Sequence, residues 1–234
     1  KFNPFVIAIT GSNGKTTTKE IINSILISNF DEKRILATYG NFNNDIGLPL
    51  TIFNLKEKHT HLILEMGMNH ANEIDYLAKI APPNIALITN IGEAHIENFG
   101  NREAIAKEKK DILLNLKKNG VAILPMDSNF FDFLSKDVKN EKILSFGMRD
   151  DADISCEFLE GEKVLIKPPT FDIQIKPKLL GYNHISNILA AVACAYVLKI
   201  HPERIKEGIE NVNPMPGRLE LKRGIKNTFI IDDT

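Results

Sequence analysis

The chain has 234 residues, 43% of them apolar, enough to bury a sizeable core, which excludes a disordered polypeptide. Its 29 Lys and Arg against 30 Asp and Glu leave a net charge of −1, which argues against an electrostatic binder of nucleic acid or of anionic membranes. Only Cys156 and Cys194 are present, with no CxxC spacing, so neither a disulfide framework nor a cysteine zinc site is indicated and a reducing cytosol fits best.

Taken in order, Phe5–Thr10 is a short apolar run that predicts a strand, and a glycine turn leads from it into a helical pattern from Thr16 to about Asn29. Leu50–Leu55 is ambiguous and is compatible with a helix. His61–Met66 and Asn84–Asn90 predict strands bounded by turn residues, with helices over Asn72–Ile80 and Arg102–Lys118 and a further strand at Val121–Pro125. Such alternation predicts an α/β fold with a doubly wound, mostly parallel sheet. From Asp151 to Lys178 the texture changes to short alternating segments, Ile154–Leu159, Lys163–Lys167 and Phe171–Lys176, which predict a small antiparallel β layer. Helices over Asn183–Lys199 and Pro202–Glu210 follow. Asn213–Gly217, with two prolines and a glycine, reads as a linker, and the tail beyond it as a hairpin turning at Gly224–Asn227. The longest apolar stretch, around Ile188–Leu198, is too short and too interrupted to span a bilayer, and no signal peptide is evident at the start.

The stretch Ala8-Ile9-Thr10-Gly11-Ser12-Asn13-Gly14-Lys15-Thr16-Thr17-Thr18-Lys19 carries the strongest chemical signal. Glycines let the backbone curl so that successive N–H groups face an anion, and the helix that follows adds its dipole. Lys15 would set a cation on the outer phosphates of a nucleotide and the Thr16 hydroxyl would reach Mg²⁺. The pattern is the short T-G-x-x-G-K-T form of the phosphate loop, because Ile9 stands where the longer form has its first glycine. Solvated lysines after glycine turns are common, but here strand, turn, Gly-Lys-Thr and helix occur in the required order.

Ligands of open α/β sheets gather at the carboxyl ends of the strands. Glu65 ends one predicted strand, where a carboxylate can hold Mg²⁺ or stand half-exposed with no role. His95, in Gly92-Glu93-Ala94-His95, follows the next, so the two are expected at neighbouring strand ends on the edge that carries the phosphate loop. On the helix from Arg102, Ile105, Ile112, Leu113 and Leu116 share one face, and Lys109 falls within it. A lysine there either snorkels to water or has a buried partner; Lys107 and Lys110 are expected in solvent.

The blocks T-G-S-N-G-K-T-T-T-K, G-N-F-N-N-D-I-G-L-P-L-T, E-M-G-M-N-H-A-N-E-I and A-H-I-E-N-F-G with A-K-E-K-K-D-I together resemble the Mur ligase family, over essentially the whole chain. The Asn43–Gly47 and Glu65–Asn69 blocks are most similar to the branch that adds D-alanyl-D-alanine. The resemblance implies the central ATPase domain at residues 1–213, then a linker and the first hairpin of a truncated Rossmann-like C-terminal domain at 214–234, with the N-terminal UDP-binding domain absent.

The resemblance implies Gly11, Ser12, Asn13, Gly14, Lys15, Thr16 and Thr17 around the ATP phosphates, Asn187 at the adenine, Arg218 at the γ-phosphate and Asp233 at the ribose. It implies two Mg²⁺ ions, one on Thr16 and Glu65 and one at His95 and a CO₂-derived carbamate on Lys109, with Asn43, Asn44 and Asp45 on the substrate side. Lys15, His95 and Lys109 would be the catalytic groups. The implied reaction is ATP-dependent amide formation through an acyl phosphate, joining D-alanyl-D-alanine to a UDP-N-acetylmuramoyl tripeptide in peptidoglycan precursor synthesis. The implied protein is a bacterial cytoplasmic monomer without nucleic-acid or membrane partners. The rivals are another Mur ligase, a folylpolyglutamate synthase, or a P-loop NTPase without ligase chemistry.

Overall fold

The computed structural model describes residues 2–136, 138, 142–178, 181–212, 220–225 and 228–232. Its centre is a six-stranded sheet built from β1 (Phe5–Thr10), β2 (Ile35–Ala37), β3 (His61–Glu65), β4 (Ile85–Ile88), β5 (Val121–Pro125) and β6 (Lys142–Phe146), in the spatial order β2-β3-β1-β4-β5-β6. Every pairing within it is parallel, as strand–helix alternation requires. Because helices cover both faces, the strands are apolar runs rather than alternating ones. Along β1, Ile7 and Ile9 enter one core, and Val6 and Ala8 the other.

The first core is closed by α1 (Lys15–Asn29), α7 (Tyr182–Val197) and α8 (Pro202–Asn211). From Ile185 to Ala195, α7 is buried at every residue except Ser186, so it is apolar around most of its circumference. The second core lies under α3 (Glu73–Ile80) and α5 (Arg102–Leu114), joined by the shorter α2 (Gly47–Phe53), α4 (Ile96–Phe99) and α6 (Phe131–Ser135). A three-stranded antiparallel sheet, β7 (Ser155–Leu159), β8 (Lys163–Lys167) and β9 (Ile173–Ile175), adds Cys156, Val164, Ile166, Ile173 and Ile175 to the first core. A parallel bridge between Phe146 and Ile154 ties it to β6. The tail forms the hairpin β10 (Glu220–Arg223) and β11 (Phe229–Asp232), with Glu220 opposite Asp232. The expected linker Asn213–Gly217, Arg218 and Asp233 lie outside the described residues.

Several elements differ from expectation. Of the ambiguous Leu50–Leu55 run, Leu50–Phe53 is the second half of α2, and the Asn44 side chain accepts from Gly47 N at its start at 2.8 Å. The α5 helix ends at Leu114 instead of Lys118, because the chain turns so that Lys117 N donates to Pro83 O at 2.9 Å and enters β5. β2, β6, α4 and α6 are additional; three to five residues each, they are too short for a periodicity to declare itself. No helix among the described residues is long and apolar enough to cross a membrane.

Candidate functional site

The connection from β1 turns through Gly11, at φ 151, and Gly14, at φ 80, before α1 begins. Both glycines are also fixed by space. A Cβ on Gly11 would meet Thr89 Oγ1 at 1.8 Å, and one on Gly14 would meet Asn187 Oδ1 at 2.2 Å. The loop is therefore wedged between the end of β4 and α7. Asn90 braces it further: Asn13 N donates to Asn90 Oδ1 at 3.0 Å and Ser12 N to Asn90 O at 3.1 Å. Thr89 Oγ1 donates to Asn13 O at 2.6 Å. Lys15 Nζ folds back onto the loop carbonyls of Gly11, at 2.8 Å, and Ser12, at 3.3 Å. The result is a cradle of main-chain amides at a helix N-terminus with a lysine beside it, the arrangement that binds phosphate.

Beneath the cradle lies Glu65, the last residue of β3 and only 2% exposed. One carboxylate oxygen accepts from Thr16 Oγ1 at 2.9 Å and the other from Asn43 Nδ2 at 2.8 Å. Its main-chain N donates to Thr38 Oγ1 at 3.0 Å. A buried carboxylate facing a hydroxyl, at the foot of a phosphate cradle, offers the oxygen donors that Mg²⁺ takes alongside phosphate and water. Among the described residues no three His, Cys, Asp or Glu side chains gather as a metal-holding group. Thr16 and Glu65 thus fit part of an octahedral shell, with phosphate and water left to supply the remainder.

Of the candidates read from the sequence, Ser12, Asn13, Gly14, Lys15, Thr16, Thr17, Asn43, Glu65 and Asn187 line one cleft of about 780 Å³ at the carboxyl edge of the sheet. Asn44 accepts from Gly47 N at the start of α2, and Asp45 is exposed. His95 follows β4 as the left-handed residue before α4, at φ 66, and does not line the cleft. β3 and β4 end on the same edge as the phosphate loop, as expected, but their ends are not neighbours, because β1 lies between them. Chain order brought the two together in the sequence reading; the crossover to the far side of β1 separates them.

Lys109 is 2% exposed on α5, with Nζ 3.5 Å from Met68 Sδ in the loop after β3. Burial first, and then the charge of Lys15, push its ammonium down to about 7, while Glu108 pulls the other way. Lys107 is exposed, but Lys110 is not in solvent as expected. It is buried, donating from Nζ to Phe133 O at 2.6 Å and lying 4.3 Å above the Phe133 ring. Glu108, also buried, accepts from Asn72 N at 2.8 Å and Ile74 N at 3.2 Å, and so holds the start of α3.

Sequence reasoning missed Asn90, Asp127, Ser128 and Tyr182, which line the same cleft. Asn90 and Asp127 follow the ends of β4 and β5, so their positions past parallel strands were a usable signal. Neither cysteine suits nucleophilic work: burial, reinforced by Asp127, pushes the Cys156 thiol up to about 11, and burial raises Cys194 as well.

Residues 9–195 match the Mur ligase middle domain. The UDP-N-acetylmuramoyl-tripeptide–D-alanyl-D-alanine ligase of Buchnera aphidicola subsp. Baizongia pistaciae is 40% identical over 99% of this chain and 51% of its own length. The Bacillus subtilis protein of that name is 38% identical over 97% of this chain and 49% of its own. Among solved structures, a MurF from Acinetobacter baumannii has a TM-score of 0.91 at 35% identity, covering 98% of this chain and 50% of that one. MurF ligase from Thermotoga maritima in complex with ADP has a TM-score of 0.82 at 31% identity, covering 100% of this chain and 54% of that one. The chain spans about half the length of the curated relatives it matches. With the family's middle domain running from the end of β1 nearly to the end of α7, through the phosphate cradle and its carboxylate, the chain belongs to the Mur ligase family.

Proposed function

We propose that this chain is the central ATP-binding domain, residues 1–213, of an ATP-dependent amide ligase that joins D-alanyl-D-alanine to a UDP-N-acetylmuramoyl tripeptide, with residues 214–234 opening a further domain. The observation that carries the reading is the buried Glu65 carboxylate hydrogen-bonded to the first hydroxyl after the phosphate-loop lysine. The names of the relatives support the substrate pair, and the ADP bound to the Thermotoga maritima neighbour supports the nucleotide. The product would enter peptidoglycan synthesis in the bacterial cytoplasm, and the protein would act as a monomer.

In this reading the substrate carboxylate attacks the γ-phosphorus, the bond to the β-phosphate oxygen breaks, and ADP leaves. The amine of the dipeptide then adds to the acyl phosphate carbon through a tetrahedral intermediate and phosphate departs. Amides from Gly14 to Thr17, at the start of α1, would hold the phosphates, with Ser12 N and Asn13 N spent on Asn90 to fix the loop, and Lys15 would swing from the Gly11 carbonyl onto the outer oxygens. Thr16 and Glu65 would hold one Mg²⁺ and His95 a second, and the ions would supply charge neutralisation to the phosphoryl group. By the family resemblance Asn187 would contact the adenine, Arg218 the γ-phosphate and Asp233 the ribose, with Asn43, Asn44 and Asp45 serving the substrate side.

Lys109 supports the carbamate assignment because an amine held at about 7 is substantially neutral at physiological pH. A neutral amine adds to CO₂ and loses one proton, which turns a buried cation into an oxygen-bearing anion. The test is ADP release from the full-length protein with both co-substrates present. Release that requires the UDP-muramoyl tripeptide and the dipeptide together is expected; ATP turnover indifferent to either would overturn the reading.

A further inference from the structure

Lys19 lies one turn beyond Lys15 on α1 and is 1% exposed, among the most deeply buried large side chains in the protein. Its Nζ donates to Thr38 O at 2.6 Å and pairs with Glu20 Oε1 at 2.8 Å. A buried ammonium is costly unless its protons are all received, so the contact with Thr38 is a constraint on where that residue lies. Thr38 follows β2, a three-residue strand on the edge of the sheet that pairs with β3 alone. By itself such a strand is weakly held.

What Thr38 controls is Glu65. Its hydroxyl accepts from Glu65 N at 3.0 Å, and its own N donates to Ile63 O at 2.9 Å. Five residues further on, Asn43 donates from Nδ2 to Glu65 Oε1 at 2.8 Å, and its carbonyl accepts from Gly67 N at 2.7 Å. The segment from Thr38 to Asn43 thus grips Glu65 at main chain and side chain, and Lys19 anchors its first residue to the helix that carries Thr16. Thr16 and Glu65, the two groups that would face the metal, are referenced to each other through this lysine.

We infer that Lys19 is a positioning residue for Glu65: by clamping Thr38 to α1 it sets the carboxylate against Thr16, and so sets the affinity for Mg²⁺ rather than for the nucleotide phosphates. This rests on the proposed role of Glu65 as a Mg²⁺ ligand. The experiment is calorimetric titration of ATP into the full-length protein, with Mg²⁺ varied and in its absence, for Lys19→Met, Thr38→Val, Glu20→Gln and Glu65→Gln, with thermal unfolding of each.

Lys19→Met and Thr38→Val should each raise the Mg²⁺ concentration at half-saturation by ~10-fold or more, the usual effect of removing a partner behind a metal ligand. ATP binding without Mg²⁺ should stay within about twofold, since the loop amides are untouched. Glu20→Gln, which keeps the bond to Thr38, should leave both quantities unchanged. A parallel loss of metal-free binding in Lys19→Met and Thr38→Val would mark a merely structural lysine and overturn the inference. So would an unchanged Mg²⁺ midpoint in both while Glu65→Gln shifts it. If Glu65→Gln itself shifts nothing, the metal assignment fails and the inference falls with it. Should Lys19→Met not fold, Lys19→Gln, read in the same two titrations, decides, because Thr38→Val keeps the carbonyl that Lys19 holds.

Discussion

The two edges of the central sheet are made by the same strands and do opposite work. At the carboxyl edge, Thr10, Lys19, Thr38, Glu65, Thr89 and Asn187 are buried polar residues, and two glycines hold backbone that bulkier residues would obstruct. At the amino edge, Phe30 stacks on His61 with centroids 4.5 Å apart, and Phe5 flanks the same ring. A hollow of about 540 Å³ there is lined largely by Val121, Phe171, Tyr196, Val197, Ile200 and Pro202. Binding free energy is concentrated at one edge only. Strand ends that feed glycine loops and helix N-termini leave amides and carboxylates pointing at a ligand, whereas ends that receive helix C-termini are closed by packing.

The sharpest break in that contrast is Gly11→Ala. Its Cβ would lie 1.8 Å from Thr89 Oγ1, on backbone at φ 151. Strain and overpacking together should cost ~2–6 kcal/mol, read as a lowered melting temperature and lost ATP binding. A variant with native stability and affinity would mean that the loop is not wedged against β4.

Lys15→Ala should leave the melting temperature nearly unchanged while weakening ATP binding by ~1.5–3 kcal/mol, the worth of a charge-assisted contact. Unchanged affinity by calorimetry would remove the cradle from the phosphates.

The three lysines of α5 test whether burial alone selects chemistry. Lys109→Ala should cut ligation by ~10–100-fold, partly rescued by short carboxylic acids, and Lys107→Ala should do little. Lys110→Ala should chiefly lower stability, since its ammonium serves the Phe133 carbonyl and ring. Because the Lys109 ammonium is held at about 7 when folded, against 10.5, the unfolded state binds more protons between those values. Stability should therefore rise with pH from about 7 towards 10.5, and Lys109→Met should flatten that rise in urea titrations. Equal effects of all three alanine substitutions on ligation would contradict the assignment of Lys109.

The smallest effect belongs to the amino edge. Burial first and Arg34 second hold His61 below its ordinary value of 6.5, so its neutral form is favoured by folding. The unfolded chain takes up the proton first as pH falls through 6.5, and stability declines there. His61→Phe should lessen that decline by less than ~1 kcal/mol and leave ATP affinity untouched; a change in affinity would show that the edges are coupled.

Where the signal was local, the sequence carried it. Thr10 to Thr18 declares strand, turn and helix within a dozen residues, and β7 to β9 announce themselves through alternation and turn residues. What was not legible depends on partners far along the chain. Lys110 has the composition of a surface lysine until the Phe133 carbonyl, on a five-residue helix, comes to meet it. Glu108 looks like an ordinary helix acid, yet it receives amides at the start of α3. His95 was set beside Glu65 by chain order, and only the crossover past β1 parts them. The anchoring of Glu65 by Asn43 and Thr38 needed β2, whose three residues carry no period to detect.

Amide hydrogen exchange with and without Mg-ATP reads whether the nucleotide binds at the carboxyl edge of this sheet. The account predicts slowed exchange in the Gly11–Thr18 amides, at Asn90–Gly92 and around Asn187, with no change at Phe30, His61 or Ile200. Protection confined to the amino edge, or none at the phosphate loop under saturating nucleotide, would contradict it.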